Sequence, residues 1–308
     1  MVQAVTFQEI LVSNLQKDMT HRYYQVAGHC FCIEAEESVF VKMQDYVPFL
    51  TDEPSSVLFK VTVQVAPKKD LSYVKDTYID QGILAVTTGH TSEGQDVYIY
   101  QWNSQDLFWL VCEDQYRKGT LTMTGLEPKM ALDMAITIIY RYTAIKWMTT
   151  AIHASAVSYQ GQAYLFLGIS GTGKSTHSRL WLKHFEGAEL INDDKPIIRV
   201  FGNGEVRVFG SPWSGKTPCY RNIDYPLGGM VKLKQANHNS IRRLRNVETY
   251  YVLLHSIFGR RWDKDISDAL HALEERLVSL IPMWQLECLP DEEAARLCKD
   301  TITKGNNN

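Results

Sequence analysis

The chain has 308 residues, of which 45% are hydrophobic and 22% charged, and its formal net charge is -3. That length accommodates two domains, or one large one, with a substantial buried core, and the balance is that of a soluble globular protein. The slightly acidic total gives no general attraction to polyanions, so nucleic acid is not an expected partner.

The first stretch, "MVQAVTFQEILVSNLQKD", lacks a basic n-region, a continuous apolar run and a small-residue cleavage site. It does not read as a secretory signal, and a cytoplasmic location is expected. Cys30, Cys32, Cys112, Cys219, Cys288 and Cys298 form no C-x-x-C pair and no zinc spacing with histidine. Reduced, mostly buried thiols are expected.

Residues 1–125 read as a β-rich unit, with strands at "HCFCIEA", "SVLFKVTVQV", "ILAVTT", "DVYIYQW" and "LFWLVC" between polar turns. No catalytic motif falls among them. "GLEPKM" supplies turn chemistry with Pro128 suited to a first helical turn, and a linking helix is expected within 126–150, its apolar run reaching from Met130 to Ile152. Asp133, Arg141 and Lys146 interrupt that run, so it reads as a buried helix and not a membrane span.

From His153 two short strands, "IHASAVSYQ" and "AYLFLG", flank Gln160 and Gly161, a hairpin signal. The second runs into "GISGTGKST". A helix over "STHSRLWLKHF" and a strand "AELIN" follow, the strand ending at Asp193 and Asp194. Further strands are expected at "EVRVFG", "GMVKLKQ" and "MWQLECL", with helices over 247–259, 264–280 and from "PDEEAARL". The arginines of "IRRLRN" and "GRRWDKD" read as solvated helix ends or ion pairs, and residues 304–308 as a disordered tail.

Gly168, Ser170, Gly171, Thr172, Gly173, Lys174, Ser175 and Thr176 lie in a match to G-x-x-x-x-G-K-[ST] between strand and helix. Glycines let successive backbone N–H groups curl around phosphate oxygens, and the helix N-terminus adds partial positive charge. Lys174 can reach the β- and γ-phosphates, and the Ser175 hydroxyl can ligate Mg²⁺. Phosphoryl transfer further needs a carboxylate for the metal and a base for the accepting hydroxyl. Asp193 and Asp194 offer both, and a parallel α/β unit of this length brings them back beside the phosphates. Spacing alone does not divide the two roles between them.

Taken together, "IHASAV", "GISGTGKST" and "INDDKP" resemble the catalytic domain of the HPr kinase/phosphorylase family, and the loop and aspartates are similar to those of ATP-dependent phosphoenolpyruvate carboxykinase. The resemblance covers roughly residues 150–300. It implies an α/β C-terminal domain over 151–303 with a mixed sheet and a P-loop, beside the β-rich α+β N-terminal domain. It further implies Lys174 as phosphate ligand, Ser175 and Asp194 as magnesium ligands, Asp193 as proton acceptor, and His153 in the active site. The stretch "VRVFGSPWSGKTP" stands where that family carries a metal-binding glutamate, so phosphorylase activity and HPr as substrate are not carried over. Within it, Ser211, Trp213 and Lys216 are candidates for a substrate loop, Trp213 as a flat contact face and Lys216 as a cation.

The expected function is an ATP- and magnesium-dependent kinase acting on a hydroxyl, serine-like by resemblance, of a protein, peptide or small molecule. A nucleotide-dependent binding module without turnover and a carboxykinase-like enzyme are the alternatives. The sequence leaves oligomeric state open.

Overall fold

Where every second residue is apolar, an extended chain can bury one face and solvate the other, and this pattern organises the first part of the chain into strands. The computed structural model describes residues 19–66, 71–215 and 217–303. They fall into two units, one comprising the chain through Tyr23, Phe31–Gln44 and Thr51–Ala135, the other Tyr24–Cys30, Asp45–Leu50 and the chain from Ile136. The expected tail, 304–308, and Lys216 lie outside the described residues.

Strands β1 (Met19–Val26), β2 (His29–Glu36), β3 (Leu50–Thr51), β4 (Lys60–Val65), β5 (Val74–Asp80), β6 (Leu84–His90), β7 (Asp96–Trp102), β8 (Gln105–Glu113) and β9 (Lys118–Met123) make one mixed sheet, with a short helix α1 (Glu37–Phe40) after β2. Their order is β3-β1-β2-β4-β9-β8-β7-β6-β5. β4 runs parallel to both β2 and β9, while β5 to β9 form an antiparallel meander. Asn103 and Ser104 both take positive φ, 49° and 60°, as the tight turn between β7 and β8 requires. Val97, Ile99 and Trp109 pack as a cluster on this meander.

Helix α2 (Pro128–Ala144) starts on the expected proline but stops well short of Ile152. A single 3-10 turn, Ile145–Trp147, is closed by Met148 at φ 52°, and β10 (Thr149–Ala151) follows. Two β-branched threonines and a left-handed residue favour this break, and Thr149–Ala151 gains a ladder against a neighbouring strand.

The second unit continues with β11 (Ala154–Tyr159), β12 (Gln162–Leu167), α3 (Lys174–His184), β13 (Glu189–Asn192), β14 (Ile197–Val200), β15 (Val206–Phe209), β16 (Asp224–Gln235), β17 (Ser240–Arg243), α4 (Asn246–Ser256), α5 (Lys264–Leu280), β18 (Met283–Cys288) and α6 (Glu292–Ile302). Sheet order is β10-β14-β15-β16-β12-β11-β13, with β18 joining β16 to β17. Gln160 and Gly161, at φ 50° and 77°, make the expected hairpin turn between β11 and β12. β11 is antiparallel to β12 on one side and to β13 on the other. Thus β12 and β13 point the same way with one strand between them, and the loop after β12 and the aspartates after β13 emerge at the same end of the sheet. α3 caps this region by burying Trp181 among Val157, Tyr164, Phe166 and Phe185. Of the arginine runs, Arg242 lies on β17 and pairs with Glu248, while Arg261 pairs with the fully buried Glu274. Among the described residues no helix is long and apolar enough to cross a membrane.

His29 gives the second unit a pH dependence. Its Nε2 lies 2.9 Å from Thr149 Oγ1, and burial, with the Arg199 charge, lowers its pKa from 6.5 to about 4. Between those values the unfolded chain binds a proton that the folded chain does not, so the contribution is full above pH 6.5 and is lost as pH falls toward 4. The total is on the order of 3 kcal/mol. Urea melts across this window should show stability falling with acid, and His29→Gln should flatten the slope; equal slopes would refute the assignment.

Candidate active site

Between Leu167 and Lys174 the backbone turns sharply at three glycines, Gly168 (φ 152°), Gly171 (φ 82°) and Gly173 (φ 105°). Gly173 is the N-cap of α3 and does its capping by backbone alone, accepting from His177 N–H at 2.9 Å. Side chains are poorly tolerated at such φ, and a Cβ on Gly168 would also lie 3.1 Å from Thr172. Thr172 donates through both N–H and Oγ1 to Ile169 O, at 3.2 and 2.5 Å, which braces the loop. Ser170 and Gly171 are exposed, while Ser175 and Thr176 sit half-buried in the first turn of α3, whose N–H groups and dipole suit an anion.

Lys174 opens the helix, and its ammonium turns back toward the loop. Nζ donates to Gly168 O at 2.8 Å, to Ile169 O at 3.3 Å and to His153 Nε2 at 3.0 Å. An ammonium only donates, so Nε2 accepts and His153 carries its proton on Nδ1. That nitrogen is 3.1 Å from Asp194 Oδ1. His153 is fixed from behind by its backbone N–H, which donates to Ser256 O at 2.9 Å. Burial pulls the Lys174 ammonium below its ordinary pKa, against the Asp194 and Asp193 charges that favour it. Burial pushes the Asp194 carboxyl up, but the His153 hydrogen bond and the Lys195 and Lys174 charges outweigh it and hold it below its ordinary value.

The aspartates are presented by Asn192, the fully buried last residue of β13. Its Oδ1 accepts the backbone N–H groups of Asp194 and Lys195, at 2.9 and 2.8 Å, as in an Asx turn. Its Nδ2 donates to Ser211 Oγ and Trp213 O, both at 3.1 Å. Asp193, only 5% exposed, accepts from Ser155 Oγ at 2.9 Å and from the Thr217 N–H at 3.3 Å. Because Ser155 gives its proton to the carboxylate, the 2.6 Å contact with Ser178 Oγ must be donated by Ser178. A buried file of two hydroxyls thus leads from α3 through β11 to Asp193.

The segment 210–217 meets the aspartates differently from the expected substrate loop. Ser211 is fully buried and donates to Lys195 O at 2.8 Å. Trp213 is 1% exposed, with Nε1 donating to Tyr46 Oη at 2.8 Å and its ring 5.2 Å from Tyr140. Neither offers a face to a ligand; both hold the turn in place, and Lys216 lies outside the described residues. Gly215 packs against the aspartates so closely that a Cβ would stand 3.0 Å from Asp194 Cβ.

The structure therefore brings Lys174, His153 and Asp194 into one chain of contacts, with Asp193 adjacent in sequence on the turn. Ser155, Ser178, Asn192 and Thr217 are the contributors that motif reading passes over. Asn192 stood next to the aspartates in a good turn-forming triplet, the one signal available; the serines gave none.

Asn192→Ala would strand two half-buried N–H groups of the turn and remove both side-chain donations. It should lower unfolding stability by about 2–4 kcal/mol in urea titrations; a change below about 0.5 kcal/mol, the size of an ordinary surface effect, would show that the turn holds without it. No protein-family model matches the chain, and no curated protein matches it.

Proposed function

We propose that the second unit is a phosphotransferase of the HPr-kinase-like type, moving the γ-phosphoryl group of ATP to a hydroxyl, serine-like by resemblance, on a protein, peptide or small molecule. The observation that carries this reading is the continuous contact from the loop carbonyls through Lys174 and His153 to Asp194. It joins a loop shaped for an anion to a turn bearing two carboxylates.

In this reading the loop N–H groups from Gly168 to Thr176 hold the phosphates, and Lys174 exchanges a carbonyl partner for a phosphate oxygen. Asp193 receives the acceptor's proton: its known partners, Ser155 and Thr217, leave lone pairs on the carboxylate, and its burial limits competition from water. Ser175 and Asp194 would hold Mg²⁺. Both are hard oxygen donors and the Asp194 carboxyl is kept ionised, which suits that ion. Among the described residues no group of three or more His, Cys, Asp and Glu gathers to hold a metal. When bound, the ion neutralises charge on the phosphates. His153 fixes the orientation of Asp194 and shares the Lys174 proton field, so it acts as a positioning residue.

The test is transfer from γ-labelled ATP, with Mg²⁺, to a panel of serine peptides, free alcohols and cell extract. Asp193→Asn should bind nucleotide as wild type does and transfer about 10²–10⁴ times more slowly. Lys174→Met should lose nucleotide affinity. Full transfer by Asp193→Asn would remove the base assignment, and the absence of any labelled acceptor with intact ATP binding would favour a binding module.

A further inference from the structure

Beside the glycine loop lies a cleft of about 430 Å³ whose lining includes neither Lys174 and His153 nor the two aspartates. It starts at the backbone of Gly171 to Gly173 and extends along α3 to the ends of β16 and β18. Its walls are apolar, formed by Leu180, Leu233, Leu289 and Pro290. Thr172, Thr176, Gln235 and His177 interrupt them with polar side chains. Gln235 donates to Gly171 O at 3.1 Å, tying the cleft to the loop. His177 is only 3% exposed, and its Nε2 accepts the Trp181 indole N–H at 3.2 Å.

An indole nitrogen only donates, so the neutral His177 ring keeps its proton on Nδ1. That N–H has no hydrogen-bond partner among the described residues, and it is not among the sealed, unsatisfied polar atoms. The ring that carries it lines the cleft. A buried ring with one spare donor, lining a mainly apolar slot, suits a flat ligand that carries an acceptor in its ring.

We infer that this cleft seats the base of the nucleotide, with adenine favoured over guanine and the His177 Nδ1–H donating to a purine ring nitrogen. The inference rests on the nucleotide reading above. A polyphosphate lying on the loop leaves its nucleoside end beside the cleft, since both share the Gly171–Gly173 backbone. Apolar walls suit the faces of a purine. Among the described residues no carboxylate lines the slot to take the N1–H and 2-amino donors of guanine together, the bidentate contact that would single guanine out.

The experiment is calorimetric titration of the full chain with the magnesium forms of ATP, GTP and inorganic tripolyphosphate. Wild type should bind ATP at least about tenfold more tightly than tripolyphosphate, from apolar burial of the base, and more tightly than GTP. Leu289, 39% exposed at the rim, can be enlarged without disturbing the core. Leu289→Trp should bring ATP down to the affinity of tripolyphosphate and leave tripolyphosphate unchanged. His177→Gln should weaken ATP by about three- to tenfold with the same selectivity. If wild type and Leu289→Trp bind ATP equally, the base sits elsewhere while the nucleotide reading stands. Equal loss of ATP and tripolyphosphate in both variants also overturns the base seat. Wild type binding neither ligand removes the nucleotide reading, and the base seat with it.

Discussion

The buried ammonium of Lys174 is the constraint on which the site depends. At 8% exposure it has largely left water, and a charge taken that far without partners costs several kcal/mol. Two loop carbonyls and one imidazole nitrogen use all three of its protons. The demand then propagates. His153 must accept, so it must be neutral with its proton on Nδ1, and a carboxylate at Asp194 is the natural receiver of that proton. One charge thereby fixes the loop backbone, the start of β11 and the turn after β13, three segments that no single stretch of sequence contains.

That chain of contacts can close only because of strand direction. β12 and β13 run parallel with β11 reversed between them, so their C-terminal ends lie together with the start of β11. Asn192 then converts position into presentation by gripping the two N–H groups that follow it, and Ser211 and Trp213 grip Asn192. Trp213 anchors this layer through Tyr46 and Tyr140. The result is a turn whose side chains extend from a base hydrogen-bonded on both sides.

What could be read in the sequence was local. The glycine loop, the Gln160–Gly161 turn and the helix from Lys174 follow from spacing and φ demands within a few residues. The end of α2 did not, because an apolar run looks alike whether it stays helical or gives its last residues to a ladder, and pairing of Thr149–Ala151 with β14 decides between them. Trp213 looked like a contact face for the same reason: an aromatic in a glycine-rich segment is exposed or buried according to what packs on it, here Tyr46 and Tyr140 from distant parts of the chain. Ser155 and Ser178 are 23 positions apart and carry no motif, yet they supply the only hydroxyl file to Asp193 among the described residues.

The two aspartates, equivalent by spacing, are unlike by environment. Asp194 faces His153, Lys195 and Lys174, cationic or proton-donating groups that hold it ionised and make it a poor proton acceptor. Such a carboxylate is suited to a metal ion or to fixing an imidazole. The partners of Asp193 are neutral, a serine hydroxyl and a backbone N–H. They orient its oxygens from two sides, while the Lys174 charge acts on both carboxylates. In the proposed transfer Asp193, whose direct partners are both neutral, is the carboxylate assigned the acceptor's proton. The difference in direct partners is set by the fold at each position and is invisible in the adjacent letters.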